Sequence, residues 1–224
     1  MGTEWNVDLK GLLLQLGENL DREGLQGTPD RVERAWGEFL EGYSLDPREI
    51  LGTRFTAESP GVQACTNIEF SSMCEHHLLP FFGTVAIVYQ PTERLCNRIK
   101  TTECPFHNGV DKICKGSYAD CCAKGMVAHA GSRVWQGEYG CVVGLSKLTR
   151  LVDCFARRLQ IQERMTQQIA DALFEWLIPV GVLVVCRAKH LCCHGRGIRR
   201  SQMEFKTTAQ CGVVGSDFWS VLQC

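Results

Sequence analysis

The stretch Val180-Gly181-Val182-Leu183-Val184-Val185-Cys186-Arg187-Ala188-Lys189-His190 decides the fold class. Its β-branched content and its alternation, with Val182, Val184, Cys186 and Ala188 on one face, predict a strand. Two amphipathic helices in succession precede it. The first is expected to take Ser146 as N-cap and to bury Leu148, Leu151, Val152 and Phe155; the second carries Met165, Ile169, Leu173 and Trp176. Farther upstream, residues 62–70 alternate with Val62, Ala64, Thr66, Ile68 and Phe70 on one face, and residues 82–89 form a second β-branched run. Strands and helices that come in blocks, without strand–helix–strand alternation, predict an α+β fold with antiparallel pairing. Residues 142–146 read as a short return strand. Toward the start of the chain, Leu9, Leu12, Leu13, Leu16 and Leu20 recur at helical spacing. Thr28-Pro29 reads as an N-cap and first-turn proline ahead of the stripe Val32, Ala35, Trp36, Phe39 and Leu40. A helical region over residues 1–60 is therefore expected before a sheet-bearing domain over 61–224.

With 224 residues, 45% of them hydrophobic and 22% charged, the chain can bury a sizeable core without disulfide staples. Lys plus Arg number 24 against 25 Asp plus Glu, which excludes a nucleic-acid-coating protein whose affinity rests on excess positive charge. The longest apolar run, residues 177–186, contains Pro179 and Gly181 and is too short to span a bilayer, so no membrane partner is expected. Residues 1–10 lack the basic and apolar regions of a secretory signal, and a cytoplasmic location follows as the expectation. In such a compartment the 14 cysteines are thiols or metal ligands before they are disulfides. Six of them, Cys96, Cys104, Cys114, Cys121, Cys122 and Cys141, fall in residues 95–141, which hold no sustained apolar period. That segment reads as an insertion between a strand and its partner, far longer than a hairpin needs.

Four of the six histidines stand beside cysteines, in Cys74-Glu75-His76-His77 and in His190-Leu191-Cys192-Cys193-His194. A Cys-x2-His pair on a tight turn can aim two side chains at one point, and extended backbone would send His190, Cys192, His194 and Arg196 to one side. Three protein ligands with an open fourth position make the catalytic zinc pattern. Spacing alone leaves zinc and buried free cysteines as alternatives. Ser146, Lys147 and Arg150 place a hydroxyl and two cations on the first turn of a helix, where free N–H groups favour an anion such as phosphate. The alternative there is a solvated helix face, and Glu163 by itself reads as an ordinary helix N-terminal acid.

Taken together, four stretches resemble the GTP cyclohydrolase I family: Ser72-Met73-Cys74-Glu75-His76-His77-Leu78-Leu79-Pro80-Phe81, Gly144-Leu145-Ser146-Lys147-Leu148-Thr149-Arg150-Leu151-Val152, Arg158-Leu159-Gln160-Ile161-Gln162-Glu163-Arg164-Met165-Thr166, and His190-Leu191-Cys192 with Arg196-Gly197. The resemblance implies zinc held by Cys74, His77 and Cys192. It makes His190 the group that manages the proton at purine N7, sets His76 near the ribose, and puts Ser146 where the sugar rearranges. Glu163 would read guanine, with the backbone of Ile161 and Gln162 completing the base pocket. Lys147, Arg150, Arg196 and Arg31 would clamp the triphosphate. The implied reaction takes GTP and water to 7,8-dihydroneopterin triphosphate and formate, the entry to folate or tetrahydrobiopterin synthesis. The implied architecture is the tunnelling fold, an antiparallel sheet with two helices on one side, assembled as a toroidal homo-oligomer of ten subunits. The resemblance leaves room for a feedback regulatory protein as partner. Its alternative is a catalytically impaired, GTP-binding regulatory subunit, favoured only by the insertion over residues 95–141.

Overall fold

In the computed structural model, the described residues are 8–59, 61–92, 103–104, 107–108 and 140–223. The strands are β1 (Phe55–Thr56), β2 (Gln63–Cys74), β3 (Leu79–Gln90), β4 (Glu103–Cys104), β5 (His107–Asn108), β6 (Cys141–Val142), β7 (Leu159–Gln160), β8 (Gly181–His190) and β9 (Phe205–Gly212). The helices are α1 (Leu9–Gln15), α2 (Thr28–Phe39), α3 (Pro47–Ile50), α4 (Leu145–Ala156), α5 (Gln162–Leu177), α6 (Leu191–His194) and α7 (Ser216–Ser220). Five strands form the central sheet in the order β7-β2-β3-β8-β9. The three long pairings are antiparallel, and the two-residue contact of β7 with β2 is parallel. The chain thus has the expected α+β class, with one parallel contact at the sheet edge.

The two long helices cover one face of this sheet. Val85, Ile87, Val182, Val184, Cys186 and Ala209 share a single core with Leu148, Leu151 and Val152 of α4 and Met165, Ile169 and Leu173 of α5. Full burial of each such aliphatic side chain contributes about 1.5–3 kcal/mol. On the opposite face Val88, Leu183 and Val185 meet Phe218 of α7 in a smaller cluster.

Local geometry departs from the sequence reading in five places, one of them helix α6 over residues 191–194, where extended backbone was expected from His190 to Arg196. The alternation in β2 breaks at a bulge between Cys65 and Ile68, where Asn67 has φ 57°. Cys65 and Ile68 then face the helices together, while Val62 falls on the opposite face, because one extra residue reverses the parity of the strand. Helix α4 starts at Leu145 with Gly144 as its N-cap, two residues ahead of Ser146. Helix α2 starts at Thr28 after an N-cap glycine, Gly27, at φ 70°, because the Thr28 hydroxyl is engaged with Arg31 and the Gly24 carbonyl. The return strand is two residues long, and its partner is β1.

Most of the proposed insertion lies outside the described residues. Its flanks meet: the Gly140 N–H donates to the Thr92 carbonyl at 2.7 Å. At the other end of the chain, α1 and α2 bury no residue, and Leu12, Leu14 and Leu16 are 51%, 59% and 70% exposed. The connection that follows is tied in, with Leu51 fully buried in the main core and the Gly42 N–H donating to the Arg157 carbonyl at 2.9 Å.

Candidate active site

Neighbouring ends of β2 and β8 meet through β3 and set the site. Cys74 is the last residue of β2; the chain turns through residues 75–78, closed by the Leu78 N–H donating to the Cys74 carbonyl at 2.8 Å, and returns as β3. His190 is the last residue of β8, opposite Phe81 of β3, and α6 begins at the next residue. This brings one donor atom each from Cys74, His190 and Cys192 within 4.8 Å of one another. Two thiols and an imidazole suit a borderline-soft divalent cation, and three donors leave a coordination position open. Burial, together with the neighbouring thiols of Cys193 and Cys74, pushes the Cys192 thiol up to about 11, so loading a cation there displaces protons. His77, expected as the third ligand, lies exposed in the turn and outside this group. His76 is also exposed, with Nδ1 3.8 Å from the Cys74 sulfur.

His190 is held on three sides. Its ring stacks on Phe81 with centroids 4.5 Å apart and planes 2° from parallel, and Phe205 approaches edge-on at 6.3 Å. Gln162, the first residue of α5 and only 1% exposed, places Oε1 2.8 Å from His190 Nε2. The amide cannot be turned the other way, because its Nε2 faces three acceptors: the Cys186 carbonyl at 3.3 Å, the Phe205 carbonyl at 3.0 Å and the Thr207 hydroxyl at 3.2 Å. Gln162 Oε1 is therefore an acceptor, His190 Nε2 carries the hydrogen, and Nδ1 of the neutral ring keeps its lone pair. Burial lowers the His190 pKa, and the Glu163 carboxylate partly opposes that shift.

Glu163 stands exposed in the first turn of α5, beside Ile161 at the N-cap. Its neighbour Arg164 forms a two-pronged bond with Glu75, at 2.6 and 3.1 Å, that ties α5 to the turn bearing His76 and His77 and holds the Glu75 carboxyl below its ordinary pKa. Ser146, Lys147 and Arg150 lie on the first turns of α4, with Ser146 and Arg150 exposed and Lys147 half-buried. Arg196 is exposed just beyond α6. Arg31 is turned back on its own segment, donating to the carbonyls of Gln26 and Gly24 and to the Thr28 hydroxyl. Sequence reasoning missed three contacts: the Gln162 amide on His190, the Arg164–Glu75 fork, and Cys193, whose sulfur is 3.9 Å from that of Cys192. Only the last had a local signal, the adjacent cysteines.

Among the described residues no helix is long and apolar enough to cross a membrane. A family model described as GTP cyclohydrolase I matches residues 6–97 and 134–219 and passes over the residues between. A GTP cyclohydrolase 1 of Wolinella succinogenes is 40% identical over 203 residues, covering 90% of this chain and 83% of that protein. One from Janthinobacterium sp. is 41% identical over 210 residues, covering 92% and 81%. A solved apo structure of the archaeosine synthase QueF-Like covers 70% of this chain at 13% identity with a TM-score of 0.39, too low for a fold comparison. On the breadth of these matches, which take in Cys74, His190 and Cys192, the chain belongs to the GTP cyclohydrolase I family.

Proposed function

We propose a residue-level account of GTP cyclohydrolase I activity in this chain, by which GTP and water become 7,8-dihydroneopterin triphosphate and formate. The observation that carries it is the meeting of Cys74, His190 and Cys192 at the ends of β2 and β8. Cys74 and Cys192 are the sulfur ligands of a zinc ion, and the family pattern gives His77 as the nitrogen ligand. The 4.8 Å grouping favours a second reading in which His190 takes that place. Metal content of His77→Ala against His190→Ala separates the two. A zinc ion in this set supplies Lewis-acid activation of water for attack on C8 of the guanine.

The chain's own groups do the rest. His190 exchanges a proton at purine N7 through Nδ1, since Nε2 is committed to Gln162. Glu163 accepts from guanine N1–H and the 2-amino group, an arrangement that adenine would leave unpaired. Ile161 and Gln162 complete the base pocket with their backbone. His76 lies toward the ribose, and Ser146 serves the sugar rearrangement. Lys147, Arg150, Arg196 and Arg31 hold the triphosphate, so Arg31 must exchange its local carbonyl partners for phosphate or act in a neighbouring subunit's site.

The same account takes the tunnelling fold, in which subunits assemble as a ring-shaped homo-oligomer. The exposed Leu12 and Leu14 of α1 and Leu16 just beyond it support assembly, since a partner subunit would take this apolar surface out of water. It also keeps the division into an N-terminal helical region over residues 1–60 and a catalytic domain over 61–224 interrupted at about 95–141. The test is to incubate the protein with GTP and zinc, oxidise, and measure neopterin fluorescence and formate. GTP bound without product would replace this reading with an impaired regulatory subunit.

A further inference from the structure

Nothing in the proposed chemistry uses the Cys193 thiol. Helix α6 sets it beside Cys192, with the two sulfurs 3.9 Å apart and both residues partly exposed. Two thiolates on one tetrahedral ion, with bonds of about 2.3 Å, stand roughly 3.8 Å from each other. The observed separation is close to that span, and the narrower bond angle of a pyramidal trivalent centre asks the two sulfurs only to close a little further. The buried thiols of Cys141 and Cys154 are placed differently, toward the carbonyl oxygens of Leu177 and Leu45. Cys74 stands within 4.8 Å of Cys192, but Cys193 lies outside the group of Cys74, His190 and Cys192, so the three thiols do not close on one point. A centre that needs two thiols therefore fits better than one that needs three.

We propose that Cys192 and Cys193 form a two-thiol capture site for monosubstituted trivalent arsenicals. The arsenic of R–As=O forms one bond to each sulfur. The two S–H protons leave with the arsenic-bound oxygen as water, and arsenic stays trivalent, so no oxidant or reductant enters. The site shares Cys192 with the metal set, and one consequence rests on the metal reading: capture withdraws Cys192 and releases the ion.

The probe is phenylarsine oxide, added to the metal-loaded full chain. The sequence holds a second adjacent pair, Cys121-Cys122, so the measurement uses a Cys121→Ser, Cys122→Ser background. Intact mass and peptide mapping are expected to show one phenylarsenic group bridging Cys192 and Cys193, removed by a dithiol such as 2,3-dimercaptopropanol and retained against a monothiol. Cys193→Ser, with Cys193→Ala as a second variant and circular dichroism to check folding, is expected to lose that equivalent. Absence of uptake, or uptake unchanged by both substitutions, overturns the proposal. Uptake with release of one metal equivalent supports both the capture site and Cys192 as a ligand. Uptake without release keeps the capture site and overturns that ligand assignment.

Discussion

Replacing Gln162 with leucine keeps the bulk of the buried side chain and removes its amide. Four hydrogen bonds go with it: the one from His190 Nε2 at 2.8 Å and those to Cys186, Phe205 and Thr207 at 3.0 to 3.3 Å. Thr207 retains Thr166 at 2.6 Å, which limits the loss on that side. Leaving a buried polar group without its partner costs about 1–3 kcal/mol, and that is the expected loss of stability in chemical denaturation. The catalytic loss is expected to be larger. Without Oε1 the neutral ring is free to carry its hydrogen on Nδ1, the atom assigned to the proton exchange, and a misplaced acid–base group forfeits about 10²–10⁴ in rate. That loss should fall on kcat, with KM for GTP changed only a few-fold, because the base pocket uses the backbone of Gln162.

Gln162→Glu separates the two effects. A carboxylate still accepts from His190 Nε2 but no longer donates to the Cys186 and Phe205 carbonyls. It should be less stable than the leucine variant, since it buries a charge among acceptors, yet more active. Nitrogen-15 NMR of His190 reports the tautomer directly. A leucine variant that keeps kcat within tenfold of the parent, or a parent enzyme with its hydrogen on Nδ1, would refute the reasoning.

Gly83 sits in β3 where an added Cβ would overlap the Arg187 carbonyl of β8, so Gly83→Ala should part the strands that carry Phe81 and His190 and destabilise by about 1–3 kcal/mol, read as a lowered melting temperature. Burial holds the Asp153 carboxyl above its ordinary pKa against the pull of Arg157. Its ionisation therefore opposes folding, in a window that opens above the unfolded value of about 3.9. Asp153→Asn should raise the melting temperature at neutral pH and leave it unchanged in stronger acid; a drop at neutral pH would mean that the Arg157 pair outweighs burial. Cys192→Ala should abolish both stoichiometric metal and turnover, measured by elemental analysis and the neopterin assay, and retention of either contradicts the ligand assignment. Excising residues 93–139 behind a short turn should preserve the fold by circular dichroism, because Thr92 and Gly140 already meet at 2.7 Å; an unfolded product would show the segment to be integral.

The parts legible in the sequence are those whose signal is local and repeated. The stripe of β8 and the buried faces of α4 and α5 each rest on several residues at one period, so no single irregularity could hide them. The bulge at Asn67 shows the opposite case. One inserted residue reversed the face of everything before it, and no feature of 62–70 marks that residue except an asparagine tolerant of positive φ. The two thiols that meet, Cys74 and Cys192, each stand close to a histidine in the sequence, but spacing alone leaves zinc and buried free cysteines as alternatives.

What gathers around His190 was not legible, and the reason is register. Phe81 reaches the ring only because β3 and β8 pair at that position, and Gln162 reaches it only because α5 begins beside the ends of β8 and β9. Neither placement leaves a trace in the spacing of residues 81, 162 and 190. The same geometry groups His190 with both thiols and leaves His77 in the exposed turn, although in sequence the two have equal standing, each close to a cysteine. A histidine whose Nε2–H is fixed by a buried amide has only Nδ1 to offer, to a metal or to a substrate. It cannot serve both at once, so the metal content of His77→Ala decides the ligand and also whether His190 is free to act on GTP.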